Sequence, residues 1–320
     1  MSAPAAAEVT GRHAAAVGAD SVTGGRFRER LAVSSLRFAE FLAMRLPRPA
    51  GVLASETYFR ALYRRGGGQR DTVADNLSRV LGHPPDSPLV QAATRECFEL
   101  YGRYWYETFA LRSMPVEEVK RRFILHGVEH LDRALDEGKG ILVALPHMGN
   151  WDFAGHWLAV NGYRMTAVAE ELQPRGAYEL FFRHRRALGM NIVPLSTTGG
   201  GAGKAGQTLV RLLAENHIIT LVADRDLTRR GVEVEMFGEK RRLPAGPAYL
   251  SLLTGAPLSV AAVFTTPDGH KCFINPWIEI ERTGEMRRDV TGMTLQVAAQ
   301  LERFIASAPT DWHMFQPAWD

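Results

Sequence analysis

From residue 123 onward, short apolar runs alternate with helix-length amphipathic segments, and that alternation restricts the fold of this chain more than any other feature. Runs that suit strands lie at 123–126, 140–145, 165–169, 191–194, 218–223, 232–236, 258–264 and 272–278. Helical spacing appears at 128–137, 151–160, 176–188, 205–216, 247–254 and 292–306. Strands joined through helices cross over right-handed, so the pattern predicts an α/β fold, a mixed, largely parallel sheet flanked by helices on both sides. Ahead of it, 26–111 reads as helical, broken at Pro47-Arg48-Pro49, Gly66-Gly67-Gly68 and His83-Pro84-Pro85. The expected organisation is a disordered tail over 1–24 and a single α/β domain over 25–320, with a helical amino-terminal part at 25–112 and the α/β core at 120–320.

Composition removes several classes of function. The apolar fraction of 46% suits a globular protein, yet no run approaches the ~20 consecutive apolar residues of a membrane-spanning helix. The opening Met1-Ser2-Ala3-Pro4-Ala5-Ala6-Ala7-Glu8 lacks the positive start and apolar core of a signal peptide, so a cytoplasmic-side protein is expected. Cys97 and Cys272 lie far apart with no ligand-like spacing, which speaks against disulfide and zinc frameworks. A net charge of +3 is too small to announce nucleic acid. Arginine is concentrated near the amino terminus, where Arg37, Arg45 and Arg48 interleave with Leu36, Phe38, Phe41, Leu42, Met44 and Leu46. Two readings stay open for that stretch: an amphipathic helix packed on the domain, or one lying on an anionic bilayer with its arginines at the headgroups.

The segment Leu145-Pro146-His147-Met148-Gly149-Asn150-Trp151-Asp152 falls where a strand gives way to a helix. His147 would sit at the carboxyl end of a strand, where open α/β sheets place their ligands. Asp152, one short turn on, could accept a hydrogen bond from one ring nitrogen and leave the other to take a substrate proton; an ordinary polar contact is the competing reading. The string His-x-x-Asn-Trp-Asp, with Gly149, Asn150 and Trp151 as its supporting residues, resembles the first signature block of the bacterial lysophospholipid and lipid A type acyltransferases, a family marked by His-x4-Asp/Glu.

Two other strings match motifs only superficially. His126-Gly127-Val128-Glu129-His130 imitates a zinc-protease string, but a glycine follows the first histidine at a strand end, where the chemistry requires a continuous helix. Thr198-Gly199-Gly200-Gly201-Ala202-Gly203-Lys204-Ala205 imitates a phosphate loop without its first glycine or its final hydroxyl.

Later segments fall in the order the resemblance predicts. Phe181-Phe182-Arg183-His184-Arg185-Arg186 resembles the family's second block, which implies that Arg185 meets the phosphate of a lipid or nucleotide donor; a solvated basic face is the alternative. Glu170 follows the strand at 165–169 and could bind sugar hydroxyls, with Glu171 competing. Asp224-Arg225-Asp226 stands where the lipid A type enzymes carry Asp-Gln-Asp or a close variant, and Arg225 is a departure that suits a different acceptor. Asp224 or Asp226 would hold the acceptor or support the base, unless the three residues form an internal ion network. Phe237-Gly238-Glu239, Leu243-Pro244-Ala245-Gly246-Pro247-Ala248-Tyr249 and Thr254-Gly255-Ala256-Pro257 match the later blocks, so the resemblance spans 123–319. The wording is most similar to the phosphatidylinositol mannoside acyltransferases of actinobacteria, through Asp152 in place of Glu, Asp224-Arg225-Asp226-Leu227-Thr228, and Gly231-Val232-Glu233-Val234-Glu235.

That resemblance implies an acyltransferase domain that moves a long chain, typically palmitoyl from acyl-CoA, to the 6-hydroxyl of a mannose on phosphatidylinositol mannoside. It implies a peripheral protein at the cytoplasmic face of the cell membrane, and the basic amino-terminal stretch makes an anionic membrane surface the expected partner. No cofactor is expected beyond acyl-CoA as donor substrate, and no metal or nucleic acid. No serine lies in a Gly-x-Ser-x-Gly elbow and Cys97 sits in an amphipathic helical pattern, so an acyl-enzyme has no obvious nucleophile. His147 is therefore expected to act as base on the acceptor hydroxyl, with Asp152 fixing its tautomer. The rivals are a lysophospholipid or lipid A type acyltransferase using acyl carrier protein, an acyl thioesterase, and a non-catalytic membrane scaffold.

Overall fold

The computed structural model describes residues 22–170, 175–195, 201–226 and 230–319. Most of the expected amino-terminal tail, Glu171, the opening of the glycine-rich string and the pair Leu227-Thr228 therefore lie outside the described residues.

Four helices come first: α1 (Val22–Ala43), α2 (Arg48–Arg65), α3 (Gly68–Leu81) and α4 (Pro88–Ala110). Their boundaries are the breakers seen in the sequence. Pro47 and Pro49 open α2, Gly82 ends α3 in the left-handed conformation (φ 66°), and the Ser87 hydroxyl caps α4 by accepting from the Val90 N–H. The α/β part follows in the order α5 (Val116–Arg122), β1 (Phe123–His126), α6 (Val128–Asp136), β2 (Ile141–Leu145), α7 (Trp151–Val160), β3 (Met165–Glu170), α8 (Arg175–Ala187), β4 (Asn191–Leu195), α9 (Gly201–Ala214), β5 (Ile218–Val222), β6 (Val232–Met236), β7 (Glu239–Leu243), α10 (Gly246–Thr254), β8 (Leu258–Thr265), β9 (His270–Ile274) and α11 (Met286–Ser307).

Seven strands form one sheet in the order β1-β9-β8-β2-β5-β3-β4. Every pairing in it is parallel except β8 with β9, so the sheet is mixed and largely parallel, as the alternation predicts. Along β2, successive residues face opposite sides. Ile141, Val143 and Leu145 join the apolar cluster under α5, α6 and α7, while Leu142 and Ala144 join the cluster with α9, α10 and α11. Helices therefore cover both faces, and β2 is buried along its whole length.

Several elements differ from the sequence expectation. The strand β7 has no apolar signature, because Glu239-Lys240-Arg241-Arg242 is charged; it exists as the return arm of a hairpin with β6. Phe237 and Gly238 both adopt positive φ (53° and 75°), the geometry a two-residue hairpin turn with the right twist requires. The last strand is β9, starting at His270 and ending at Ile274, earlier than the expected 278, and α11 begins at Met286 rather than at Gly292.

Candidate active site

Register brings the central pair together. β2 and β5 are parallel neighbours with Leu145 opposite Val222, and the Ala223 N–H donates to the Leu145 carbonyl at 2.8 Å. His147 and Asp224 each lie two residues beyond that matched pair, so they leave the sheet side by side. His147 Nδ1 stands 2.6 Å from Asp224 Oδ1. The other carboxylate oxygen, Oδ2, accepts the backbone N–H of His147 at 2.9 Å and the Trp312 indole N–H at 2.8 Å, while the Arg241 guanidinium donates to the Asp224 carbonyl. Burial alone would raise the Asp224 carboxyl. The His147 ring, the Trp312 indole and the His147 backbone N–H more than reverse that, holding it down at about 2. An ionised Asp224 requires Nδ1 to be the donor, so in the neutral ring Nε2 is the acceptor, and it has no hydrogen-bond partner among the described residues. The ring is 28% exposed and lines the main cavity.

Asp152 does not hold His147. Its Oδ1 accepts from Arg185 Nε at 2.6 Å, and its Oδ2 accepts from Arg185 Nη2 at 3.1 Å and from the Tyr104 hydroxyl at 3.0 Å. The physical reason is position: residue 152 lies in the first turn of α7, on the side packed against α4 and α8, which carry Tyr104 and Arg185. Burial would raise the Asp152 carboxyl, but Arg185 keeps it below the usual carboxylate range; Tyr104 is pushed well above its ordinary value by burial and by Asp152. The sequence expectation that Asp152 fixes the imidazole tautomer is thus corrected, and Asp224 occupies that place. Arg185 also lines the cavity, but two of its guanidinium nitrogens are engaged by Asp152.

The residues between His147 and Asp152 build the loop. Gly149 has φ 59°, and a Cβ there would stand 2.2 Å from the Val263 carbonyl oxygen, so only glycine passes under β8. Asn150 is fully buried and caps α7, its side-chain oxygen accepting from the Phe153 N–H at 2.9 Å. Trp151 sets its ring edge-on to His147 (centroids 5.8 Å apart) and against Tyr104 (4.7 Å). Trp105, also on α4, lines the cavity, whereas the Tyr106 hydroxyl donates to the Leu46 carbonyl and packs the helices together.

A segment remote in sequence clasps this loop. Met148 and Trp312 form an antiparallel bridge, the Gly149 N–H donates to the Asp311 carbonyl at 3.0 Å, and the His313 N–H donates to the His147 carbonyl at 2.7 Å. His313 is 4% exposed, and neither ring nitrogen has a hydrogen-bond partner among the described residues. Burial first, then the neighbouring His147 and His270, push it down to about 3, so the ring is neutral near pH 7.

Around His147 lies a cavity of about 1690 Å³ whose lining residues come in two sets, from the two faces of the sheet. One set lies between the sheet and α7, with Val143, Leu145, Leu158, Met165, Ala261 and Cys272. The other lies on the opposite face, beside α9 and α10, with Gln207, Val210, Pro247, Tyr249 and Leu253. Arg225 Nη2 pairs with Glu170 Oε2 at 2.8 Å, and both side chains are partly exposed and line the cavity. Asp226 accepts the Gly231 N–H at 2.6 Å and also lines the cavity. Glu170, Asp224, Arg225 and Asp226 are therefore brought to one place. The thiol of Cys272 is pushed up to about 12 by burial and that of Cys97 is raised too, so neither supplies a thiolate nucleophile.

Sequence reasoning missed Trp312, His313 and Arg241. Arg241 sits in the charged strand β7, and its guanidinium stacks 4.7 Å over Trp319. The Asp311-Trp312-His313 string carries no helical or strand periodicity; its one signal is the density of tryptophan and histidine among small residues.

Residues 32–320 match the family model for bacterial lipid A biosynthesis acyltransferases, and the chain belongs to that family. It is an acyltransferase. Among curated relatives it is 39% identical over 287 residues to the phosphatidylinositol mannoside acyltransferase of Mycobacterium tuberculosis, covering 88% of this chain and 86% of that one. It is likewise 39% identical over 259 residues to the protein of the same description in Mycolicibacterium smegmatis, covering 81% and 82%. A solved lysophosphatidic acid acyltransferase, PlsC from Thermotoga maritima, aligns with a TM-score of 0.33 and 10% identity over 78% of this chain and 97% of that one, a likeness too slight to carry an argument.

Proposed function

We propose that this acyltransferase moves a long acyl chain, palmitoyl by preference, from acyl-CoA to the 6-hydroxyl of a mannose on phosphatidylinositol mannoside. The observation that carries the reading is the His147–Asp224 pair, with His147 lining a cavity that also has apolar residues under α7 and the polar side chains of Glu170, Arg225 and Asp226 in its wall. His147 Nε2 takes the hydroxyl proton as the mannose oxygen attacks the thioester carbon. Asp224 holds the imidazole tautomer and stabilises the imidazolium. The tetrahedral oxyanion collapses, the carbon–sulfur bond breaks, and the departing thiolate takes the proton back from His147. The apolar part of the cavity under α7 receives the acyl chain, and Glu170, Arg225 and Asp226 meet the sugar. The curated relatives, described as phosphatidylinositol mannoside acyltransferases, support the choice of acceptor.

The enzyme is proposed to work peripherally on an anionic bilayer at the cytoplasmic face. Among the described residues no helix is long and apolar enough to cross a membrane. Helix α1 turns Leu36, Glu40 and Ala43 inward, and leaves Phe38, Phe41 and Leu42 outward beside the exposed Arg37 and Arg45; Leu53 on α2 is 61% exposed. Such a face suits immersion of the rings with arginines at the headgroups.

The test is an assay of palmitoyl-CoA and palmitoyl acyl carrier protein with phosphatidylinositol mannoside, lysophosphatidic acid or water as acceptor. Preferred transfer from the coenzyme A thioester to the mannoside is expected, and His147→Ala should lower the rate by about 10²- to 10⁴-fold. Faster acylation of lysophosphatidic acid, or net hydrolysis, would overturn the acceptor. An active His147→Ala would overturn base catalysis.

A further inference from the structure

Among the described residues the Asp224 carboxylate has three donors, and the one from a side chain outside the His147 loop is the Trp312 indole, 2.8 Å from Oδ2. Trp312 is 1% exposed and sits in the apolar cluster behind β2, edge-on to Trp319 at 6.0 Å. Its backbone forms the bridge with Met148, flanked by Asp311 to Gly149 and His313 to His147. One residue thus fixes the loop that carries the histidine through its main chain and the partner carboxylate through its side chain.

We propose that Trp312 is a positioning residue for the acyl-transfer reaction, its indole N–H orienting the Asp224 carboxylate so that Oδ1 is presented to His147 Nδ1. This inference rests on the reading of His147 and Asp224 as base and partner. A carboxylate held by one N–H on the histidine alone can rotate about its χ2 axis and place either oxygen, or neither, on Nδ1. The backbone N–H of residue 147 limits that rotation, and the indole, rigid and packed against Trp319, completes the restraint on Oδ2. It also shares the carboxylate's charge. Other charged or titratable groups near the pair include the Arg241 guanidinium on the Asp224 carbonyl, the His313 ring beside His147, and Asp311 and Arg225, the chain neighbours of Trp312 and Asp224. Among the described hydrogen bonds, the side-chain donors to the carboxylate oxygens are the His147 ring and the Trp312 indole.

The experiment compares Trp312→Phe with a site-specific benzothienyl-alanine at 312, which keeps the bicyclic shape and replaces N–H by sulfur. For both, kcat is expected to fall about tenfold or more while KM for each substrate stays within about threefold, in line with the worth of a hydrogen bond to a charged group. The acid limb of the kcat/KM pH profile should move to higher pH, because unshared carboxylate charge holds the imidazolium proton more firmly. Placed in an Asp224→Ala background, either change should cost nothing further. The benzothienyl variant decides the matter if Trp312→Phe does not fold. An unmoved pH limb, or losses that multiply with Asp224→Ala, would overturn the positioning role while leaving the base assignment standing. An active His147→Ala would remove the base assignment itself.

Discussion

Asp152 and Arg185 are joined by two hydrogen bonds, 2.6 and 3.1 Å long, that bind α7 to α8 and exhaust the carboxylate together with Tyr104. The carboxylate that gives the His-x4-Asp string its name is therefore a buried ion-pair partner. Replacing one member leaves the other charge uncompensated, so Asp152→Asn and Arg185→Met should each lower unfolding free energy by about 3–5 kcal/mol. Urea unfolding measures it. The double variant should recover part of the loss, and losses that simply add would show that the two do not act as a pair.

Asp224→Asn should behave differently. The amide keeps the shape but cannot impose the Nδ1–H tautomer, so kcat is expected to fall by on the order of 10³- to 10⁴-fold with substrate binding largely spared. Single-turnover rates and acyl-donor binding, measured on the same preparation, separate the two quantities. A decrease confined to KM would place Asp224 in binding.

At Gly149 an added methyl group meets the Val263 carbonyl oxygen at 2.2 Å on a backbone already at φ 59°. Both β8 and the clasped loop would have to move. Gly149→Ala should therefore lower the melting temperature by about 5 °C or more and abolish activity together with it. Full stability with lost activity would point to a role beyond packing.

Acid should destabilise the fold in two stages. His313 is held at about 3 in the folded protein against ~6.5 unfolded, so the unfolded chain takes up its proton first. Its contribution to stability is complete above about pH 6.5 and drains away as the pH falls toward 3, with a slope of up to about 1.4 kcal/mol per pH unit. Asp224, held at about 2 against ~3.9 unfolded, adds its own loss below about pH 4. His313→Phe should flatten the dependence between pH 6.5 and 4.5 in urea titrations. An unchanged slope would mean that another group titrates there.

In the apolar part of the cavity, Gly155 lets Met190 lie close against α7, since a Cβ at 155 would stand 2.4 Å from its sulfur. Gly155→Val should push that flexible side chain into this space and shorten it. The ratio of palmitoyl to octanoyl transfer should then fall by about tenfold or more. Equal loss for both chains would instead indicate damage to the site as a whole.

Much of this architecture was open to reading. Apolar runs flanked by Gly-Lys-Gly and by Pro-His mark β2, and the ends of β2, β3 and β5 point to His147, Glu170 and Asp224. What periodicity cannot reveal is which strands are neighbours. Chain order runs from β2 to β3, but β5 inserts between them, and that insertion alone puts Asp224 beside His147. Proximity in sequence favoured Asp152, whereas adjacency in the sheet favours Asp224. The clasp was invisible for a related reason: a single bridge between Met148 and Trp312 leaves no repeating pattern in either segment. The strand β7 was hidden by its charges, which the hairpin exposes to solvent at Glu239, Lys240 and Arg242.

The clasp also orders events during synthesis. A ribosome releases His147 long before Asp224 and reaches Trp312 later still, so a nascent chain that stalls or is cut short before that residue lacks both the bridge to the loop and the indole donor to the carboxylate. On the proposed reading, possession of the His-x4-Asp string is not enough for acyl transfer, and the maturity of the polypeptide itself becomes a condition for the chemistry.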